Sequence, residues 1–173
     1  MDMLLKVAEE LQEYSNIMFL VIGEGAYKEQ VKAFITEHKV SNVLLFPFQP
    51  YEDIAHVFSL GDVSLIISKK DTGHNSIPSK TWSIMSAARP VIASFDEESE
   101  LCSIIRRSES GLCVPPDDPQ ALKNAILKLY SDKEKRIKFG KNGREFVLKN
   151  LTRETGTAKY VQVVREVFEK SSY

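Results

Sequence analysis

Short apolar runs alternate with helical patterns along almost the whole chain, and this alternation constrains the fold more than any other feature. The runs are apolar throughout, which is typical of parallel strands covered on both faces. Strands that alternate with helices indicate right-handed βαβ crossovers, so the sequence predicts a doubly wound parallel α/β sheet. The predicted strands are residues 18–23, 43–46, 63–68, 90–94 and 111–114.

Helical periodicity fills the segments between the strands and the whole C-terminal part. Asp118 followed by Pro119 predicts a helix start, because a capping carboxylate precedes a proline suited to the first helical position. No repeat, low-complexity tract or linker divides the chain. We therefore predict one α/β domain over residues 1–173, with C-terminal helices at 132–170 packing on it.

The beginning of the chain departs from this scheme. A doubly wound domain normally opens with a strand, whereas this chain opens in a helical pattern at residues 3–11. We expect the first strand to be missing; in the usual order it would be central, between the strands ending at Gly23 and Ser68. We expect the gap to be filled by a neighbouring chain, which would give a homo-oligomer, or to make the strands pair differently.

Composition excludes several classes of protein. The 173 residues carry a net charge of −1, so no global field attracts nucleic acid. No apolar run approaches the roughly 18 residues of a membrane span, and the acidic N-terminus does not resemble a signal peptide. We expect a cytoplasmic protein in which Cys102 and Cys113 are reduced, buried thiols. The basic segment 133–149 leaves contact with the inner membrane face as an alternative to a solvated helix face.

Ligands of open parallel sheets bind beyond the carboxyl ends of the strands. Gly23 and Gly25 follow the first predicted strand, but Lys28 occupies the position of the third glycine of a dinucleotide fingerprint, which disfavours a dehydrogenase. A turn that admits a ligand and a purely structural turn stay equally open. Phe48 and Gln49 follow the second strand, where they could flank a planar base; core packing of Phe48 is the alternative.

The segment after the third strand, residues 69–80, holds the most candidates. Small polar residues lie just before a helix start, where unpaired N–H groups and the helix dipole favour an anion. Lys80 adds a cation, so a phosphate fits there; a serine that only caps the helix is the equal alternative. The carboxylates after the fourth strand, Glu100 among them, are explained by the helix dipole alone, or one of them holds a hydroxyl-rich ligand. No nucleophile triad, metal cluster or acid–base pair emerges.

Four stretches form a combined pattern: FLVIGEG, NVLLFPFQPYEDIAHVFSLGDVSLI, IPSKTWSIMSAARPVIAS and ESELCSIIRRSESGLCVPPDDPQALKNAI. This pattern resembles the C-terminal domain of family-four retaining glycosyltransferases, which have the GT-B fold. The Pro-Ser-Lys element is similar to the branch that builds bacterial cell-surface polysaccharides. The resemblance implies a Rossmann-like half of a hexosyl or N-acetylhexosaminyl transferase that binds a nucleotide-sugar, expected to be a UDP-sugar. An N-terminal domain of the same protein would bind the acceptor.

The resemblance also implies a donor-binding site. Gly23 and Gly25 would border the cleft, the backbone near Phe48 would meet the base, and residues 75–80 would receive the diphosphate and sugar, with Ser83 near the ribose. No catalytic residue, metal or cofactor is assigned. With the carboxylate after the fourth strand included, the candidate donor-binding residues are Gly23, Gly25, Phe48, Gln49, Asn75, Ser76, Ile77, Ser79, Lys80, Ser83 and Glu100.

Two positions depart from the family pattern. The family commonly has two glutamates eight residues apart, and these positions fall on Asn75 and Ser83. Asn75 can bond sugar hydroxyls, but without charge it cannot stabilise a developing cation in the same way. Ser83 is too short to grip a ribose diol with two oxygens. We expect weak donor binding and no transfer by this chain alone; a non-catalytic binding or assembly module is the alternative.

Overall fold

The computed structural model describes residues 2–70 and 77–170, and all five predicted strands are present in it. Each strand has four residues, so the runs predicted at 18–23, 63–68 and 90–94 are shorter by one or two residues. The strands are β1 (Phe19–Ile22), β2 (Val43–Phe46), β3 (Ser64–Ile67), β4 (Val91–Ser94) and β5 (Gly111–Val114).

Helices connect the strands and follow the last of them. Helix α6 begins as predicted: the Asp118 carboxylate accepts a hydrogen bond from the Ala121 N–H at 2.8 Å, and Pro119 is the first helical residue. A 3₁₀ turn, Tyr51–Asp53, precedes α3. The helices are α1 (Asp2–Glu10), α2 (Lys28–Glu37), α3 (Ile54–Leu60), α4 (Lys80–Ser86), α5 (Glu100–Arg107), α6 (Pro119–Ser131), α7 (Lys133–Asn150) and α8 (Arg153–Lys170).

The sheet is interrupted at the place that the sequence predicts. Strand β1 pairs in parallel with β2, and β3, β4 and β5 form a second parallel sheet in that order. Within residues 2–70 and 77–170, β1 and β3 are not hydrogen-bonded to each other. The order β2-β1, then β3-β4-β5, is that of a doubly wound sheet without its central strand. A neighbouring copy in the gap stays a prediction.

A single apolar cluster joins the two sheets on one face. Val7 of α1 and Leu122 and Leu129 of α6 are completely buried in it. They belong to the same cluster as Phe19 of β1 and Ile92 of β4, so one layer of helices covers both sheets. Burial of such side chains stabilises the fold by about 1.5–3 kcal/mol each. This layer holds β1–β2 beside β3–β5 where no backbone ladder does so.

A second cluster covers the opposite face of the larger sheet. Ile84 and Met85 of α4 pack there with Ile105 of α5 and with Val91 and Ala93 of β4. Helices therefore lie on both faces of the β3–β5 sheet. The predicted Rossmann-like, doubly wound architecture is confirmed.

The two C-terminal helices differ in how they meet the domain. Helix α7 buries Phe139, Gly140, Gly143 and Val147 and lies against α4. In α8, residues 157–169 are all exposed, and Tyr160 keeps 78% of its surface. No helix in the described part of the chain is long and apolar enough to cross a membrane.

Close packing of α7 on α4 predicts the effect of two glycine substitutions. In Gly140→Ala the new methyl carbon would lie 2.0 Å from the Ala88 carbonyl oxygen, which is backbone and cannot rotate away. We expect the free energy of unfolding, measured with urea, to fall by about 1–3 kcal/mol.

The matched control is Gly156→Ala in α8, where no atom lies within 4 Å of the new carbon. Alanine favours a helix over glycine by about 0.5–1 kcal/mol, so this variant should be unchanged or slightly more stable. An equal loss of stability in both variants would contradict the close approach of α7 to α4.

Candidate functional site

All five strands are parallel within their sheets, so the loops that follow them project from the carboxyl edges of the two sheets. Gly23 follows β1 and Phe48 follows β2, and the structure brings these two predicted residues together. Gly23 has φ +140°, and a Cβ there would lie 3.4 Å from the Phe48 ring. Its N–H donates to the Phe46 carbonyl at 3.0 Å. Phe48 is 70% exposed, so packing in the core is wrong for this side chain.

The neighbouring turn is open. No atom lies within 4 Å of a Cβ built on Gly25, and the Gly25 carbonyl accepts the Lys28 N–H at 3.1 Å. The Lys28 ammonium bonds the Glu24 carboxylate at 2.7 Å, so the position that disfavours a dinucleotide site forms a surface ion pair. Gln49 donates to the Pro47 carbonyl at 2.9 Å and folds back on its own loop. These contacts leave the space beside Gly25 free for a ligand.

The segment before α4 is described in part. Asn75 and Ser76 lie outside the described residues. Ile77 is half-buried against the second apolar cluster, and Ser79, Lys80 and Ser83 are exposed. The Ser79 side chain accepts no capping hydrogen bond, although Ser79 holds the N-cap position of α4. A purely capping role is therefore wrong for Ser79.

The acidic loop after β4 has a clear structural role. The Ser99 hydroxyl caps α5 by accepting the Cys102 N–H at 3.3 Å. The Arg106 guanidinium donates to the Glu97 carbonyl at 2.7 Å and lies 3.6 Å from the Glu97 carboxylate. Glu100 is exposed in the first turn of α5, where the helix dipole favours a carboxylate. Glu100 keeps its surface open to a ligand.

Asp117 is a residue at this edge that the sequence does not single out. Its carboxylate accepts the Lys70 N–H at 3.1 Å and so joins the loop after β3 to the loop after β5. Asp117 adopts φ +55°, a left-handed conformation that aspartate tolerates better than most residues. The only signal in the sequence is the run VPPDDP, which also contains the α6 cap. Among the described residues, no three His, Cys, Asp or Glu side chains are grouped to hold a metal ion.

The family profile described as "Glycosyl transferases group 1" matches residues 1–146. The chain is 20% identical over 167 residues to the putative colanic acid biosynthesis glycosyl transferase WcaI of Escherichia coli. The matched region covers 95% of this chain and 40% of that protein. It is 26% identical over 154 residues to the uncharacterized glycosyltransferase MJ1178 of Methanocaldococcus jannaschii, covering 89% of this chain and 41% of that protein. The chain thus spans about 40% of the length of these relatives.

Solved structures share the fold. HepE of Anabaena in complex with UDP superposes with a TM-score of 0.80 at 16% identity, covering 95% of this chain and 44% of that chain. Sucrose-phosphate synthase of Thermosynechococcus elongatus gives a TM-score of 0.77 at 24% identity, covering 97% of this chain and 42% of that chain. The predicted family is confirmed: because its profile spans most of the sequence, this chain belongs to the group 1 glycosyl transferases.

Proposed function

We propose that this chain is the donor-binding half of a glycosyltransferase. The whole protein would transfer a hexosyl or N-acetylhexosaminyl group from a nucleotide-sugar to a polysaccharide or lipid-linked acceptor, with retention of configuration. The family match over residues 1–146 carries the proposal. Three relatives are named as a putative colanic acid biosynthesis glycosyl transferase, a probable glycosyltransferase of Pseudomonas aeruginosa and an amylovoran biosynthesis glycosyltransferase. The HepE structures hold UDP and UDP-glucose, which supports a UDP-sugar as the donor.

The open carboxyl edge of the strands gives each part of the donor a partner. The Phe48 ring beside Gly23 offers an aromatic surface for the base. The open space at Gly25 would admit the nucleotide-sugar. Lys80, exposed at the start of α4, supplies a cation for the diphosphate. Ser83 lies one turn further along α4 for the ribose. Glu100, at the start of α5, would accept hydrogen bonds from sugar hydroxyls.

The charges of these residues limit what the chain does alone. A retaining transfer passes through a sugar with developing positive charge, which carboxylates stabilise in a water-excluded site. Asn75 and Ser83 are neutral where the family commonly has glutamates, and Phe48, Lys80, Ser83 and Glu100 are exposed to solvent. We propose that the chain binds its donor weakly, needs no metal ion, and requires the acceptor domain of the same protein for transfer.

A second candidate function follows from the same neutral residues. A chain that keeps the fold but has no carboxylate at positions 75 and 83 could serve as a non-catalytic binding or assembly module. A measurement of donor affinity distinguishes the two functions, because a module without a donor site should bind no nucleotide-sugar more tightly than a simple salt.

Calorimetric titration with UDP-, GDP- and ADP-sugars tests the phosphate assignment. We expect Lys80→Ala to weaken binding of the preferred donor about threefold to fivefold, since an exposed cation contributes up to about 1 kcal/mol. The variant should also bind with less dependence on salt. Lys149→Ala, on α7, makes the same change of charge away from the site and should bind as the unchanged chain does. Equal affinity of the Lys80 and Lys149 variants would remove the phosphate assignment, and no binding by any donor would favour the module.

Truncation of Phe48 tests the base assignment. Stacking of a base on an aromatic ring contributes about 1–3 kcal/mol, so Phe48→Ala should weaken donor binding by about fivefold to 150-fold. It should not lower the melting temperature, because the ring is 70% exposed. Tyr160→Ala removes a similarly exposed ring from α8 and serves as the control. If both variants bind the donor equally well, Phe48 does not contact the base.

A further inference from the structure

The proposed donor site leaves one pair of chemically reactive groups without a role. Cys102 is buried in the first turn of α5, and Cys113 lies half-buried in β5. Both are free thiols in the structure. β5 pairs with β4 on one side and is an edge strand among the described residues, and the Cys113 side chain keeps part of its surface exposed.

The lengths of α5 and β5 place the two cysteines at about the same distance from the turn that joins the helix to the strand. The helix ends at Arg107 and the strand begins at Gly111, so the chain reverses between them. Cys102 lies five residues before the end of the helix, about 7.5 Å along its axis. Cys113 lies two residues into the strand, about 6.6 Å from its start.

Side-chain alternation in β5 directs Cys113 towards Cys102. Leu112 and Val114 pack in the cluster under α1 and α6, on one face of the sheet. Cys113 points to the other face and packs in the cluster that contains Cys102. The two thiols therefore face each other across the contact between α5 and β5, near enough for each to alter the pKa of the other.

The surroundings of the pair favour loss of one proton. The hydrogen bond from Cys113 lowers the pKa of the Cys102 thiol to about 7, helped by the Ser99 hydroxyl and the Arg106 guanidinium and opposed by burial and by Glu97. The same hydrogen bond and burial raise the pKa of Cys113. Cys102 is therefore the thiol of the pair that ionises more readily and supplies the thiolate.

We propose that Cys102 and Cys113 are an oxidisable dithiol that closes to a disulfide between α5 and β5. With a hydroperoxide as oxidant, the thiolate sulfur attacks one peroxide oxygen, the O–O bond breaks, and the departing oxygen takes up a proton. The second sulfur then attacks the resulting sulfenic acid, and water leaves as the S–S bond forms. Two thiols lose two electrons and two protons, and the hydroperoxide is reduced to water and an alcohol, or to two waters for hydrogen peroxide.

The disulfide would fix the first turn of α5, which carries the Ser99 cap and Glu100, against β5. An effect of oxidation on donor affinity rests on the proposed function, whereas the disulfide itself does not. If the reduced chain binds no donor, the proposed function fails and the disulfide is unaffected. If reduced and oxidised chains bind the donor equally, regulation of that site is overturned.

The test is oxidation of the full chain with hydrogen peroxide, followed by thiol titration and peptide mass spectrometry. We expect a monomer that has lost both thiols, with Cys102 joined to Cys113 and a melting temperature raised by about 5–10 °C until reductant is added. The rate should rise with pH up to about 7 and then level off, because the thiolate is the nucleophile.

Variants that keep one cysteine distinguish disulfide formation from oxidation of a single thiol. Cys113→Ser should stop at a sulfenic acid on Cys102 that dimedone traps. Cys102→Ala should be oxidised more slowly, because burial raises the pKa of its remaining thiol, and neither variant should rise in melting temperature. If Cys102→Ala does not fold because Cys102 is buried, Cys113→Ser still allows the test, since Cys113 is only half-buried. Disulfide-linked dimers, or two thiols that persist while those of the urea-unfolded chain are oxidised, would overturn the proposal.

Discussion

The packing of helices α1 and α6 under both sheets is the contact on which the rest of the structure depends. Val7, Leu122 and Leu129 are fully buried there, in one cluster with Phe19 of β1 and Ile92 of β4. Because β1 and β3 share no ladder in the described part of the chain, these side chains set the relation of the two sheets. They therefore also set where the loops after β1 and β2 lie relative to the loops after β3 and β4.

The strands could be predicted because each is a continuous apolar run covered by helices. The start of α6 could be predicted because Asp118 caps a helix that begins at the next residue, Pro119, so the signal is local. The contact of Gly23 with Phe48 could not be predicted in the same way. It arises from the parallel register that pairs Ile22 with Phe46, and register depends on the packing of the whole sheet. The bond from the Lys70 N–H to Asp117 joins loops 47 residues apart and leaves no local pattern.

Helix α7 shows a further limit of periodicity. Its many basic residues indicate a solvated face, and the periodic pattern does not reveal that the helix lies against α4. The signal is instead the spacing of Gly140 and Gly143, which lets the α7 backbone approach Ala88 and Met85. Helix α8 carries an apolar face formed by Tyr160, Val164, Val167 and Phe168, yet residues 157–169 stay exposed. Periodicity locates an apolar face, but only the tertiary structure shows whether that face is covered.

The same distinction applies to the candidate site, where the fold supplies position and the side chains supply chemistry. A parallel sheet presents its loops at one edge whatever their sequence, so the fold alone creates a place where a ligand can bind. Transfer demands more, since a developing cation must be stabilised in a site from which water is excluded. Phe48, Lys80 and Glu100 are exposed to solvent, where a single charge acts at high dielectric and contributes little. The proposed chemistry therefore requires a second surface that closes over this edge, and in the proposed function an acceptor domain would provide it.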